Sequence, residues 1–206
     1  VRPVQQTHLP QPADGAGARS TLTQHQMALR WLGRAAAQAG APERLAESLV
    51  LASEDIFDAV RSAVLLEEED TVRVAASHGL SQNITGPLRL SYSRGLMRWF
   101  DQFSCLIDRA TVQHAPDAVK ELQLLNARLA APLLREGRVF GAIVLGDKAS
   151  GLSYSHEERE LLMLMARSVA LVLERGRLAD VERRQQGLLD TCFEPVSYTH
   201  LTLPTK

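Results

Sequence analysis

The chain has 206 residues, 45% apolar and 23% charged, enough to build one core with appendages or two small ones. Its 23 Lys and Arg against 24 Asp and Glu leave a net charge of −1, which gives no support to a nucleic-acid partner or an anionic membrane surface. No run nears the ~20 apolar residues of a membrane span. The opening VRPVQQTHLP has no secretory pattern, and two cysteines, Cys105 and Cys192, are too few for a disulfide scaffold, so a cytoplasmic setting is expected.

The first residue is Val1, and residues 1–20 carry Pro, Gly and polar residues without an apolar period. They read as a linker in a piece of a longer protein. Thr21-x-x-Gln24 has the form of a capping box, and Met27, Trp31 and Ala35 recur at helical spacing, which predicts a helix over 24–39 stopped at Gly40. Pro42 suits the first turn of a second helix, 42–56, with a stripe of Leu45, Leu49, Ala52 and Ile56. Residues 59–66 and 71–77 alternate with period two around Glu67-Glu68-Glu69-Asp70, predicting an antiparallel hairpin with a solvated tip. A loop with Asn83, Gly86 and Pro87 leads to a short run at 88–91. A short helix with an aromatic face is predicted over 93–103, a brief strand over 104–108, and a helix opening at Pro116.

Strands are predicted at 128–134 and 139–145 around the turn Arg135-Glu136-Gly137-Arg138. Pro132 in the first of them demands an edge position or a bulge, because proline cannot donate to the ladder. Ser155-x-x-Glu158 is a second capping box, opening a long helix whose wide apolar face holds Leu161, Leu162, Met165, Val169, Val172 and Leu173. The order describes an α+β layer fold: a central, mainly antiparallel sheet flanked by helices, with a long C-terminal helix. From Val196 the text turns abruptly Thr-rich. SYTHLTLPT resembles a translated sequencing-adaptor tail, so residues 196–206 are expected to be artefactual or disordered, with the natural sequence differing after about Pro195.

With these elements in order, the stretch from Gln24 to Leu178 resembles a GAF domain. Pro132-Leu133, Gly137, Gly141-Ala142-Ile143-Val144-Leu145, Lys148, Tyr154 and the acidic-capped helix at Ser155–Glu158 carry the resemblance. It implies a domain over 21–178, a signalling helix over 179–195 leading to a missing effector, and a regulatory role. GAF domains are mostly modules of bacterial signalling proteins that bind small molecules or dimerise and pass a change along helices. The effector implied is a nucleotide cyclase or a histidine kinase. Phe193-Glu194-Pro195 resembles the segment before a cyclase domain.

Little in the sequence supports catalysis. His8, His25, His78, His114, His156 and His200 show no ligand spacing and there is no Cys-x-x-Cys, so no metal site is expected. Cys105 lies in apolar text and reads as a core residue. Relatives that reduce free methionine sulfoxide use several cysteines, and the domain span holds one. The Asn-Lys-x-x-x-Phe-Asp-Glu pattern of cyclic-nucleotide-binding GAF domains is absent. No cofactor and no catalytic residue are assigned.

Two features remain. Tyr92, Trp99, Phe100 and Phe103, flanked by Arg94 and Asp108, form the candidate small-molecule pocket, with Arg94, Trp99, Phe103 and Asp108 as binding residues. Leu164, Leu171, Leu178 and Gln185 recur every seven residues, with Val181 and Leu188 three further on. Arg167, Glu174 and Gly176 make this repeat imperfect. Leu171, Leu178, Val181 and Leu188 are the predicted seam of a weak parallel homodimer. The alternative is a ligand-free dimerisation scaffold.

Overall fold

The computed structural model describes residues 14–112 and 114–192, with side chains over 22–112 and 114–186. Most of the expected linker, the terminal tail 196–206 and the Leu188 side chain lie outside the described residues. The chain runs α1 (Asp14–Ala35), a 3-10 turn (Ala36–Gln38), α2 (Pro42–Phe57), β1 (Ser62–Glu68), β2 (Thr71–His78), α3 (Gln82–Thr85) and β3 (Arg89–Ser91). It continues through α4 (Gly95–Phe103), β4 (Ile107–Asp108), α5 (Pro116–Leu124), β5 (Leu129–Arg135), β6 (Arg138–Leu145) and α6 (His156–Cys192).

The strands form one sheet in the order β3-β2-β1-β6-β5-β4, antiparallel at every pairing. α1, α2 and α6 cover one face, where Trp31, Leu49, Phe57 and Met165 pack on Val64, Leu133 and Ile143. α4 and α5 cover the other, where Met97, Phe100 and Leu122 pack on Leu65, Ala130 and Val144. With both faces buried, β1 is inside along Ser62–Leu66, not only at alternate positions as its period suggested. That is why β1, β5 and β6 read as nearly continuous apolar runs.

β1 starts at Ser62, so Val60 is not a strand residue and is exposed. The β1–β2 tip is confined to Glu69-Asp70, because Glu67 and Glu68 pair in the ladder. Pro132 meets its requirement: β4 covers only Leu129 and Ala130, so the outer side of β5 is open from there, and a register shift follows at Leu133/Leu134. At Gly141 a Cβ would collide with the Leu65 carbonyl oxygen of the neighbouring strand, so a side chain there would push β6 off β1.

The two capping boxes fare differently. Ser155 Oγ accepts from the Glu158 N–H at 3.2 Å, and Glu158 Oε2 accepts from the Ser155 N–H at 2.8 Å, the reciprocal pair expected at a helix start. Thr21 caps nothing. α1 already begins at Asp14, inside the segment read as linker, and Gln24 instead donates from Nε2 to Glu158 Oε1 at 3.0 Å.

Candidate functional site

α4 presents Leu96, Met97 and Phe100 to the sheet, with no exposure, and turns Arg94, Arg98, Trp99, Gln102 and Phe103 outward. With His114 and Pro116–Ala118 at the start of α5, these residues line an open hollow of about 380 Å³. The Trp99 and Phe103 rings lie 5.1 Å apart at 44°, and Phe103 is 52% exposed. Three of the four predicted pocket residues, Arg94, Trp99 and Phe103, thus meet on one hollow. It lies on the outer flank of α4, not in the space between α4 and the sheet. That inner space is filled by Met97, Phe100 and Leu122.

Asp108 is not on this hollow. It is buried in β4, where Oδ1 accepts from the Ala110 N–H at 2.9 Å and from Arg128 Nε at 3.0 Å, and Oδ2 accepts from Arg159 Nη2 at 2.9 Å. These bonds tie β4 to the residue that leads into β5 and to α6, so Asp108 is a structural anchor. Cys105 corrects another expectation: it precedes the two-residue β4 and is exposed rather than in the core. Among the described residues no group of three His, Cys, Asp or Glu side chains is placed to hold a metal.

The carboxylate of Glu121, on α5, accepts from the Leu96 N–H at 2.6 Å and so caps α4 from outside. Burial lifts this carboxyl above its ordinary range, against the opposing pull of that hydrogen bond and of Arg94. Lys148 and Glu158, both nearly buried, pair at 2.7 Å. Burial works against the Glu158 anion, but hydrogen bonds from Lys148, Ser155 and Gln24 outweigh it and hold its carboxyl below the usual range. Glu67 joins Arg135 at 3.1 Å, Arg138 at 2.6 Å and the Tyr92 hydroxyl at 3.3 Å. Arg135 reaches on to Glu174 of α6 at 3.4 Å. Burial first, then the Glu67 charge and its hydrogen bond, push the Tyr92 phenol up to about 12.

The sequence profile of the GAF domain family matches residues 41–175. The chain belongs to the GAF domain family. No curated protein matches it. Among solved structures it is similar to the GAF domain of a phosphoenolpyruvate-protein phosphotransferase from Coxiella burnetii, at 19% identity and TM-score 0.58, over 76% of this chain and 98% of that one. A methyl-accepting chemotaxis protein, residues 122 to 287, aligns at 12% identity and TM-score 0.59, over 72% and 98%. The free methionine-R-sulfoxide reductase of Neisseria meningitidis aligns at 16% and 0.55, over 84% and 98%. At these identities the likeness is one of fold. GAF domains are regulatory modules. Among the described residues, no helix is long and apolar enough to cross a membrane.

The long helix of this GAF domain carries three of the four predicted seam residues, Leu171, Leu178 and Val181, on its exposed surface, with Leu164 one heptad earlier. Leu164, Leu171, Leu178 and Val181 all face solvent, Leu171 at 67%. The imperfect positions of the repeat have a reason inside the domain: Glu174 is held by Arg135 and Arg177, and Gly176 is buried against the 3-10 turn, where a Cβ would collide with the Ala39 carbonyl. Sequence reading missed this contact because glycine inside a helix looks like a defect until its neighbour is known. It also missed two more exposed leucines seven apart, Leu22 and Leu29 of α1, a helix that packs on α6.

Proposed function

We propose that the chain is the regulatory GAF module of a bacterial, cytoplasmic signal-transduction protein, working as a homodimer through α6. A change in the domain would pass along that helix to a C-terminal effector such as a nucleotide cyclase or a histidine kinase. The observation that carries this reading is the line Leu164, Leu171, Leu178 and Val181, spaced for a helix pair and left exposed by the domain's own packing. Burying each leucine contributes about 1.5–3 kcal/mol, so a few per chain support a modest, switchable dimer. In this reading the module has no catalysis of its own and senses a small molecule at the α4–α5 hollow.

The test is sedimentation equilibrium of the chain at roughly tens of micromolar, a concentration that resolves micromolar dimers. A dimer is expected, and Leu171→Asp with Leu178→Asp should give a monomer with unchanged circular dichroism. A monomeric wild type would remove the dimer. The packed space beneath α4, where Met97, Phe100 and Leu122 have no exposure, favours a second reading: a scaffold that dimerises without ligand.

A further inference from the structure

Two arginines and a helix N-terminus bring positive potential to the α4–α5 hollow, and His114 lines it as well. Arg94, at the N-cap of α4, and Arg98, in its first turn, are both exposed. Arg98 Nη1 donates only to the Ser93 carbonyl, at 3.3 Å. His114 stands across from them. The other source of positive potential is the N-terminus of α5 itself. Ala115 at its N-cap makes no side-chain cap, and Pro116 has no N–H, so the amides of Asp117 and Ala118, which also line the hollow, look for an acceptor outside their helix. The neighbouring N-terminus, that of α4, is already served by Glu121. The acid of the lining, Asp117, is paired with Lys120 at 3.5 Å. At the other end of the same hollow stand the tilted rings of Trp99 and Phe103. Leaving such rings in water forgoes the burial and stacking that a flat partner supplies.

We infer that this hollow takes a small flat ring bearing one anionic group, a carboxylate or a phosphate monoester. The ring lies against Trp99 and Phe103, and the anion faces Arg94, Arg98, His114 and the α5 amides. Arginine forks and free helix amides recognise planar oxyanions by charge-assisted hydrogen bonds, while the aromatic pair selects for a flat ring. The inference rests on the sensing reading above and names its ligand class.

The chain has two tryptophans, which makes the test internally controlled. Trp31 is 4% exposed and donates from Nε1 to the Ser48 carbonyl at 3.2 Å, so its indole N–H resonance reports the fold while that of Trp99 reports the hollow. The uniformly 15N-labelled chain is titrated to roughly 10 mM, a range that detects weak binding, with four probes. Indole-3-carboxylate and its neutral amide test the carboxylate. Adenosine monophosphate and adenosine test the phosphate. Saturable movement of the Trp99 resonance by either anion is expected, with Trp31 still, and the matched neutral compound about tenfold weaker or worse. Arg94→Ala with Arg98→Ala, both at exposed positions, should weaken the anion by a similar factor and leave Trp31 unmoved. Equal binding of the neutral partner, undiminished binding to the double variant, or a still Trp99 with all four probes overturns the ligand class. The sensing reading fails separately, if a chemically diverse fragment set, cations included, also leaves Trp99 unmoved.

Discussion

Gly176→Ala is a test of how α6 is seated. In an exposed helix interior, replacing glycine by alanine stabilises by about 1 kcal/mol, because the glycine loses more backbone freedom on folding. At Gly176 the new Cβ would lie 2.5 Å from the Ala39 carbonyl carbon and closer still to its oxygen. Carbon atoms in contact settle near 3.5–4.0 Å and the oxygen is nearer still, so α6 or the 3-10 turn must retreat by about 1–2 Å. Overpacking of this kind costs about 1–3 kcal/mol. Gly33, in α1, is the control: it is helical and exposed, and a Cβ added there would meet nothing within 4 Å. Both substitutions share the helical gain, so the difference between them isolates the contact. In urea denaturation at constant slope, Gly33→Ala should be more stable than wild type by up to about 1 kcal/mol, and Gly176→Ala should fall about 1–3 kcal/mol below Gly33→Ala. If Gly176→Ala gains as much as Gly33→Ala, α6 is not held against Ala39, and the inferred seating of the helix is wrong.

Three further outcomes are expected. Glu158→Gln leaves the nearly buried Lys148 without its carboxylate and should destabilise by about 3 kcal/mol at neutral pH, read by denaturant midpoint. The folded Glu158 carboxyl is held low, so its stabilisation is complete above the unfolded carboxyl range and declines as pH falls through the folded value. The variant's deficit should therefore shrink in acid. Glu121 has the opposite sign: its folded carboxyl is raised, so its contribution is present below the unfolded value and lost as pH rises through the folded one. Glu121→Gln, whose amide oxygen can still accept from Leu96, should raise the melting temperature at pH 7–8, and that gain should vanish near pH 4, about the ordinary carboxyl value. Cys105 is exposed, so in a Cys192→Ser variant one thiol should react with a water-soluble thiol reagent under native conditions at nearly the rate of a free peptide. Reaction only on unfolding would return Cys105 to the core.

Periodicity, turn chemistry and capping determined most of the fold from sequence alone. The hairpins around Asp70 and Gly137, the proline-opened helices at Pro42 and Pro116 and the capping box at Ser155–Glu158 depend on residues within a few positions of one another, and such local rules are written in the text. Part of the candidate site was equally legible: Trp99 and Phe103 lie four residues apart on one face of α4, and Arg94 stands at the N-cap of the same helix, so the three meet on one hollow. Tertiary structure decided the rest. Asp108 reads as a flanking polar anchor, yet Arg128 and Arg159, 20 and 51 residues away, bury it in ion pairs. Cys105 reads as core, yet a strand of only two residues leaves it outside. Thr21-x-x-Gln24 reads as a helix start, yet Gln24 is spent on Glu158, 134 residues on. Glu174 and Gly176 read as flaws in a repeat, yet they are where α6 meets Arg135 and Ala39. Each partner lies far along the chain, and pairwise contacts between distant segments leave no periodic mark on either one. Sequence thus determines which elements form and which faces are apolar, while the packing of those elements decides which polar groups are used up inside the domain and which remain free at its surface.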